Sequence, residues 1–87
     1  MNQNYYEAIK HANSALEKDV DNVKALFRRA KAQIPIWNLD EAEKDLNRVL
    51  EIDSSLKTSV QKELGRISNL RREKLESERA AFRGKLV

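Results

Sequence analysis

Sixteen residues, Asn4–Asp19, return 34 positions later as Asn38–Asp53 with half of the positions identical. The identities are Asn4/Asn38, Glu7/Glu41, Ala8/Ala42, Lys10/Lys44, Asn13/Asn47, Leu16/Leu50, Glu17/Glu51 and Asp19/Asp53. Tyr5/Leu39, Ala12/Leu46 and Ala15/Val49 are similar in character. A 34-residue period holds one helix–turn–helix unit, which cannot bury its apolar face alone and must stack on a neighbour. The echo therefore predicts an all-α chain, an antiparallel helix–turn–helix solenoid that presents a groove rather than an enclosed catalytic pocket.

The helices can be placed from caps and periodicity. Asn4 and Glu7 form a capping-box pattern ahead of Tyr5–Lys18, in which Tyr5, Ala8, Ile9, Ala12, Ala15 and Leu16 recur at helical spacing. Asp19–Asn22 reads as a turn, because its short polar side chains compete for backbone bonds. A second helix is predicted over 23–34, with Val23, Leu26, Phe27, Ala30 and Ile34 on its apolar side. Pro35, which lacks an N–H, should end or kink it. Asn38 and Glu41 repeat the capping pattern for a third helix, whose stripe is Leu39, Ala42, Leu46, Val49 and Leu50. Ala8 and Ala42 stand at equivalent points where helices can approach closely. A long last helix is predicted over 56–82, apolar at Leu56, Val60, Leu64, Ile67 and Leu70. Its far half has few large apolar residues and should project. Gly65 inside it costs about 1 kcal/mol relative to Ala, a cost that close packing on a neighbour would explain.

The chain is 87 residues long, one small domain that buries only about 60% of its unfolded surface. It has no cysteine, which excludes a disulfide framework and a thiolate metal site and fits a reducing, cytoplasmic setting. No apolar run approaches the roughly 20 residues that span a bilayer, and Met1–Glu7 does not resemble a signal peptide, so no membrane role is expected. Residues 1–61 carry nine Lys/Arg against ten Asp/Glu; residues 62–87 carry eight against four. The basic tail interleaves its acids, as a solvated helix does, and lacks the clean cationic face and stacking aromatics of a nucleic-acid surface. With one His, no phosphate loop and no paired-carboxylate pocket, no catalysis, metal or cofactor is expected. His11 reads as a helix-surface residue.

The register pairs the first helix with the third. Residues 4–19 are then the second helix of one repeat, 22–55 a complete repeat, and 56–84 a C-terminal capping helix. On this reading the chain begins halfway through a repeat. It is expected to be a fragment of a longer array, or to be covered by a second copy of itself over Tyr5, Ile9 and Leu16.

The complete repeat resembles the tetratricopeptide pattern: Ala30, Ala42 and Val49 fill its small positions, and Leu39 and Leu46 its large ones. Trp37 stands where a turn Gly is usual and Ser54 where Pro is usual. The run from Asn22 to Ala32, Asn-Val-Lys-Ala-Leu-Phe-Arg-Arg-Ala-Lys-Ala, is similar to the third repeat of immunophilin-type co-chaperones. Trp37-Asn38 and the ending Arg79-Ala80-Ala81-Phe82-Arg83-Gly84 are most similar to the aryl hydrocarbon receptor-interacting protein branch of that family. The resemblance implies a protein-interaction module that binds the acidic C-terminal tail, Glu-Glu-Val-Asp in type, of the ninety-kilodalton heat-shock chaperone. It implies a carboxylate clamp to which Lys24 and Arg28, one helical turn apart, contribute, with Lys31 extending the stripe. It also implies that Phe82 and Arg83 contact a client, such as a ligand-activated transcription factor. Read from spacing alone, Lys24 and Arg28 are equally ordinary solvated charges, Phe82 lies on a frayed terminus, and Trp37 packs a turn. The competing functional reading is a structural or self-associating scaffold without a clamp; cations paired to acids of their own chain would favour it.

Overall fold

The computed structural model describes residues 4–85, with side chains through residue 79. It is all-helical over that span: α1 (Tyr5–Lys18), α2 (Val23–Gln33), α3 (Leu39–Ile52), a single 3₁₀ turn (Ser54–Leu56) and α4 (Lys57–Lys85). Each helix packs on its neighbour in sequence. Arg29 of α2 reaches Asp45 and Arg48 of α3 reaches Asp21, so α2 and α3 run antiparallel. Successive helices thus form an up-and-down row, elongated at 56 × 29 × 21 Å by the reach of α4.

The 34-residue echo is repeated in the backbone. α1 and α3 are both 14 residues long. Their caps, Asp19 and Asp53, take nearly the same extended conformation (φ −148°, ψ 97° and φ −142°, ψ 94°) and donate to Ala15 O and Val49 O, themselves an echo pair. Both Asp side chains accept the amide two residues on, from Asp21 and from Ser55. The same residues therefore close the same turn twice, by the Asx geometry their short side chains favour.

The N-caps differ. Asn4 accepts the Glu7 amide at 2.9 Å, as the capping box predicts, and its side-chain amide, in place of the backbone N–H of that motif, donates to the Glu7 carboxylate at 3.0 Å. Asn38 makes no side-chain cap bond, contrary to the expectation from its identical pattern. The reason lies in the preceding turn. Trp37 is left-handed at φ 64°, its N–H bonds Ile34 O, and the Asn38 N–H bonds Gln33 O. These two bonds form a Schellman closure of α2, with Trp37 in the position that favours glycine. A left-handed non-glycine residue costs about 1–2 kcal/mol. The Trp37 ring is about half covered, with Lys74 Nζ 5.6 Å from its centroid, and that burial contributes about 2–3 kcal/mol, enough to offset the strain. Pro35 falls inside this closure, and regular helix ends at Gln33, just before it.

The core is built from α2, α3 and the first part of α4. Ala30, Ala42, Leu46, Val49 and Val60 are fully sealed, with Leu26, Ile34, Leu39 and Ile67 beside them. On α4, Val60, Glu63 and Ile67 are the buried positions, at the i, i+3, i+7 spacing of one helical face. From Arg71 to Arg79 every residue is exposed, so the far half of α4 projects as expected. Gly65 does not: an added Cβ there would meet nothing within 4 Å, so close packing does not explain it. Ala8, expected at a tight approach, is exposed, because among the described residues α1 packs chiefly on α2; Leu16, expected to be exposed, is buried against α2.

Candidate cation-lined groove

Lys24, Arg28 and Lys31 all lie on the outward side of α2 and line one cleft of about 610 Å³ between α1 and α2. Its floor is made of small side chains, Ala8, Ala12, Ala15 and Ala25. The helical spacing explains the convergence: positions i, i+4 and i+7 fall on one face, opposite the buried Leu26 and Ala30. Lys24 and Arg28 also border a second cleft, about 320 Å³, between α2 and the start of α4, with Val23, Phe27 and Leu56 as its apolar wall. The two residues thus form a ridge with a cleft on either side. Lys31 leans over the Phe27 ring, 5.9 Å from its centroid.

None of the three cations forms an ion pair among the described residues. Three arginines outside α2 are committed to acids. Arg48 bonds Asp21 and Glu51, and Arg71 bonds Asp40 and Glu43. Arg66 bonds the buried Glu63 at 3.0 Å. Lys10, Lys18, Lys57, Lys62, Arg72, Lys74 and Arg79 are also without an ion pair among the described residues, so what sets the ridge apart is that its three cations line one cleft, an arrangement suited to anionic side chains or a terminal carboxylate.

Arg29, adjacent to Arg28, faces the other way. Its Nε and Nη2 donate to both oxygens of Asp45 at 2.8 Å, and its Nη1 donates to Asn13 Oδ1 at 2.8 Å. The hydrogen bonds to Asp45, stronger than the opposing effect of burial, raise the proton affinity of the guanidinium. Asp45 is 6% exposed. This tie across three helices was missed in the sequence, although a signal for it was present. Asp45 lies inside the apolar stripe of α3, three residues after Ala42 and four before Val49, and a charge in that position requires a partner.

His11 is exposed, 3.7 Å from Glu7, as expected of a surface residue. Among the described residues no group of His, Asp or Glu has the arrangement of a metal site. No described helix is long and apolar enough to cross a membrane. Phe82 and Arg83, the expected partner contacts, lie outside the described side chains.

No protein-family model matches the chain. It is similar to aryl-hydrocarbon-interacting protein-like 1 of Bos taurus, 39% identical over 84 residues, which is 97% of this chain and 26% of that protein. The protein of the same name from Saimiri boliviensis boliviensis is 38% identical over 84 residues, covering 97% of this chain and 23% of its own length. That from Mus musculus is 36% identical over 84 residues, 97% and 26% respectively. The chain thus spans about a quarter of the length of these curated relatives.

Proposed function

We propose that this chain is a tetratricopeptide-type interaction module of an aryl-hydrocarbon-interacting-type co-chaperone, and that it holds an acidic C-terminal tail on the ridge formed by Lys24, Arg28 and Lys31. In this reading residues 4–19 are the second helix of one repeat, 22–55 a complete repeat and 56–84 a capping helix. The ligand is of the Glu-Glu-Val-Asp type carried by the ninety-kilodalton heat-shock chaperone. The far end of α4, with Phe82 and Arg83, meets a client such as a ligand-activated transcription factor.

The observation that carries the reading is the convergence of the ridge on one cleft. Three cations share one face beside an apolar floor with no acid in its lining, while Arg29 between them in sequence is held by Asp45. A tail ending in Asp presents two nearby carboxylates. Lys24 offers a point charge and Arg28 a planar fork that can bond two oxygens together. Charge-assisted contacts of this kind contribute about 1.5–3 kcal/mol each. With two or three of them, offset by the cost of association, this chain alone binds at about millimolar Kd, roughly −4 kcal/mol. The similarity to the named relatives supports the choice of family, and the α2–α4 cleft, walled by Val23, Phe27 and Leu56, suits an apolar side chain next to the carboxylates.

The test is charge reversal. Lys24→Glu with Arg28→Glu should abolish the binding of a Glu-Glu-Val-Asp peptide, read by NMR titration, and leave the helical circular dichroism unchanged. Equal affinity in the folded double variant would remove the ridge from the binding site.

A further inference from the structure

We propose that Arg29 is the positioning residue of the cationic ridge: its fork, closed on Asp45 of α3 and Asn13 of α1, sets how far α2 is turned and so holds Lys24, Arg28 and Lys31 over their clefts. The proposal rests on the tail-binding reading, but the rotation of α2 is measurable without any ligand.

Three observations converge on it. First, much of the surface that meets between α1 and α2 is smooth. Beside the larger Leu16 and Leu26, α1 offers Ala12 and Ala15, and α2 offers Ala25, Ala30 and Ala32. Methyl groups make low ridges, and interdigitating ridges are what define the angle and register of a helix pair. An alanine interface allows close approach but specifies rotation weakly.

Second, the tie has direction. A planar guanidinium bonding both carboxylate oxygens fixes orientation as well as distance. Its three bonds, each 2.8 Å, run from α2 to both flanking helices. The pairing is also enforced, because Asp45 is buried and its carboxylate would otherwise be left uncompensated. Asn13 is exposed like its echo partner Asn47, but only Asn13 makes a side-chain bond among the described residues.

Third, the geometry of neighbours makes the consequence concrete. Arg28 and Arg29 are successive residues, about 100° apart around the helix. With Arg29 turned toward α3 and α1, Arg28 is necessarily on the cleft side, and Lys24 and Lys31 follow it at one turn before and after. Releasing the fork removes one restraint on that turn, leaving the buried Leu26, Ala30 and Ile34 to hold it, and any turn of α2 moves all three cations together.

The experiment uses the 87-residue chain and three variants, Arg29→Lys, Arg29→Gln and Asp45→Asn. Circular dichroism melts select a temperature at which each is fully folded. At that temperature, NOEs between the methyl groups of Ala12 or Ala15 and Ala25 report the α1–α2 register, and titration with a free-carboxylate Glu-Glu-Val-Asp peptide reports affinity. Arg29→Lys, which keeps the charge and loses the fork, should be folded, show an altered NOE pattern and bind about tenfold more weakly, the equivalent of one charge-assisted contact, although no ridge residue has changed. A wild-type NOE pattern in the folded Arg29 variants overturns the proposal, as does wild-type affinity beside an altered pattern. If the wild-type chain itself does not bind the peptide, the tail-binding reading falls, and the NOE pattern alone decides whether Arg29 sets the turn of α2. Should an Arg29 variant not fold, Asp45→Asn, which keeps the shape of the side chain, carries the same comparison.

Discussion

α1 and α3 share half their residues, their length and their closing turn, yet their surroundings have little in common. Ala42 is completely sealed and its counterpart Ala8 is exposed. Asp45 is buried under the Arg29 fork, whereas its counterpart His11 stands in solvent. The difference is one of neighbours. α3 lies between α2 and α4, and among the described residues α1 packs chiefly on α2. The repeat therefore encodes what each helix can bury, and the stack decides what it does bury. The open side of α1, floored with alanines, is also one wall of the groove that Lys24, Arg28 and Lys31 overhang. A fully packed α1 would have no such groove beside it.

The largest test of this contrast is to enlarge both small residues. Ala42→Leu inserts three heavy atoms where none of the side chain is exposed, and should destabilise the chain by about 1–3 kcal/mol. Ala8→Leu, at the equivalent position, should change stability by about 0.5 kcal/mol or less. Denaturant midpoints would show both, and equal costs would mean that α1 and α3 are packed alike. A smaller effect separates the caps. Asn4→Ala removes a bonded N-cap and should cost about 1 kcal/mol, read as fraying of α1 by amide exchange. Asn38→Ala removes no cap bond and should leave the start of α3 unchanged. The smallest effect is that of acid on the turn after α3. The Ser55 hydroxyl, and then the Ser55 amide, hold the Asp53 carboxyl below its ordinary 3.8. A carboxyl lowered in the folded state stabilises fully above its unfolded pKa, and that contribution is lost as pH falls through the folded value. A shallow drop in melting temperature below about pH 4 should accordingly shrink in Asp53→Ala.

Much of the fold could be read from local chemistry. The bounds of α1 follow from Asn4 and Asp19, and the projecting half of α4 follows from the scarcity of apolar residues after Leu70. The features that escaped are those set by tertiary partners. Asn38 looks like a cap, but its role depends on Trp37 adopting a left-handed turn, which only the contact with α4 makes affordable. Gly65 resembles a packing glycine but faces open space. Arg29 reads as one more cation in an Arg-Arg pair, because nothing local distinguishes the arginine that meets Asp45 from the one that faces the cleft. Lys24, Arg28 and Lys31 could be placed on one face by spacing alone. That this face lies over an alanine-floored groove, free of acids among the described residues, required the arrangement of the helices.

The central claim is that this ridge reads a terminal carboxylate, and the most direct measurement compares two peptides that differ only there. Amide shifts of the ¹⁵N-labelled chain should move in α2, around Lys24, Arg28 and Lys31, on addition of a Glu-Glu-Val-Asp peptide with a free C-terminus. The same peptide capped as a C-terminal amide should bind about tenfold more weakly or less, having lost one charge-assisted contact. Equal shifts and equal affinity for the two peptides, or shifts confined to α4, would contradict the account.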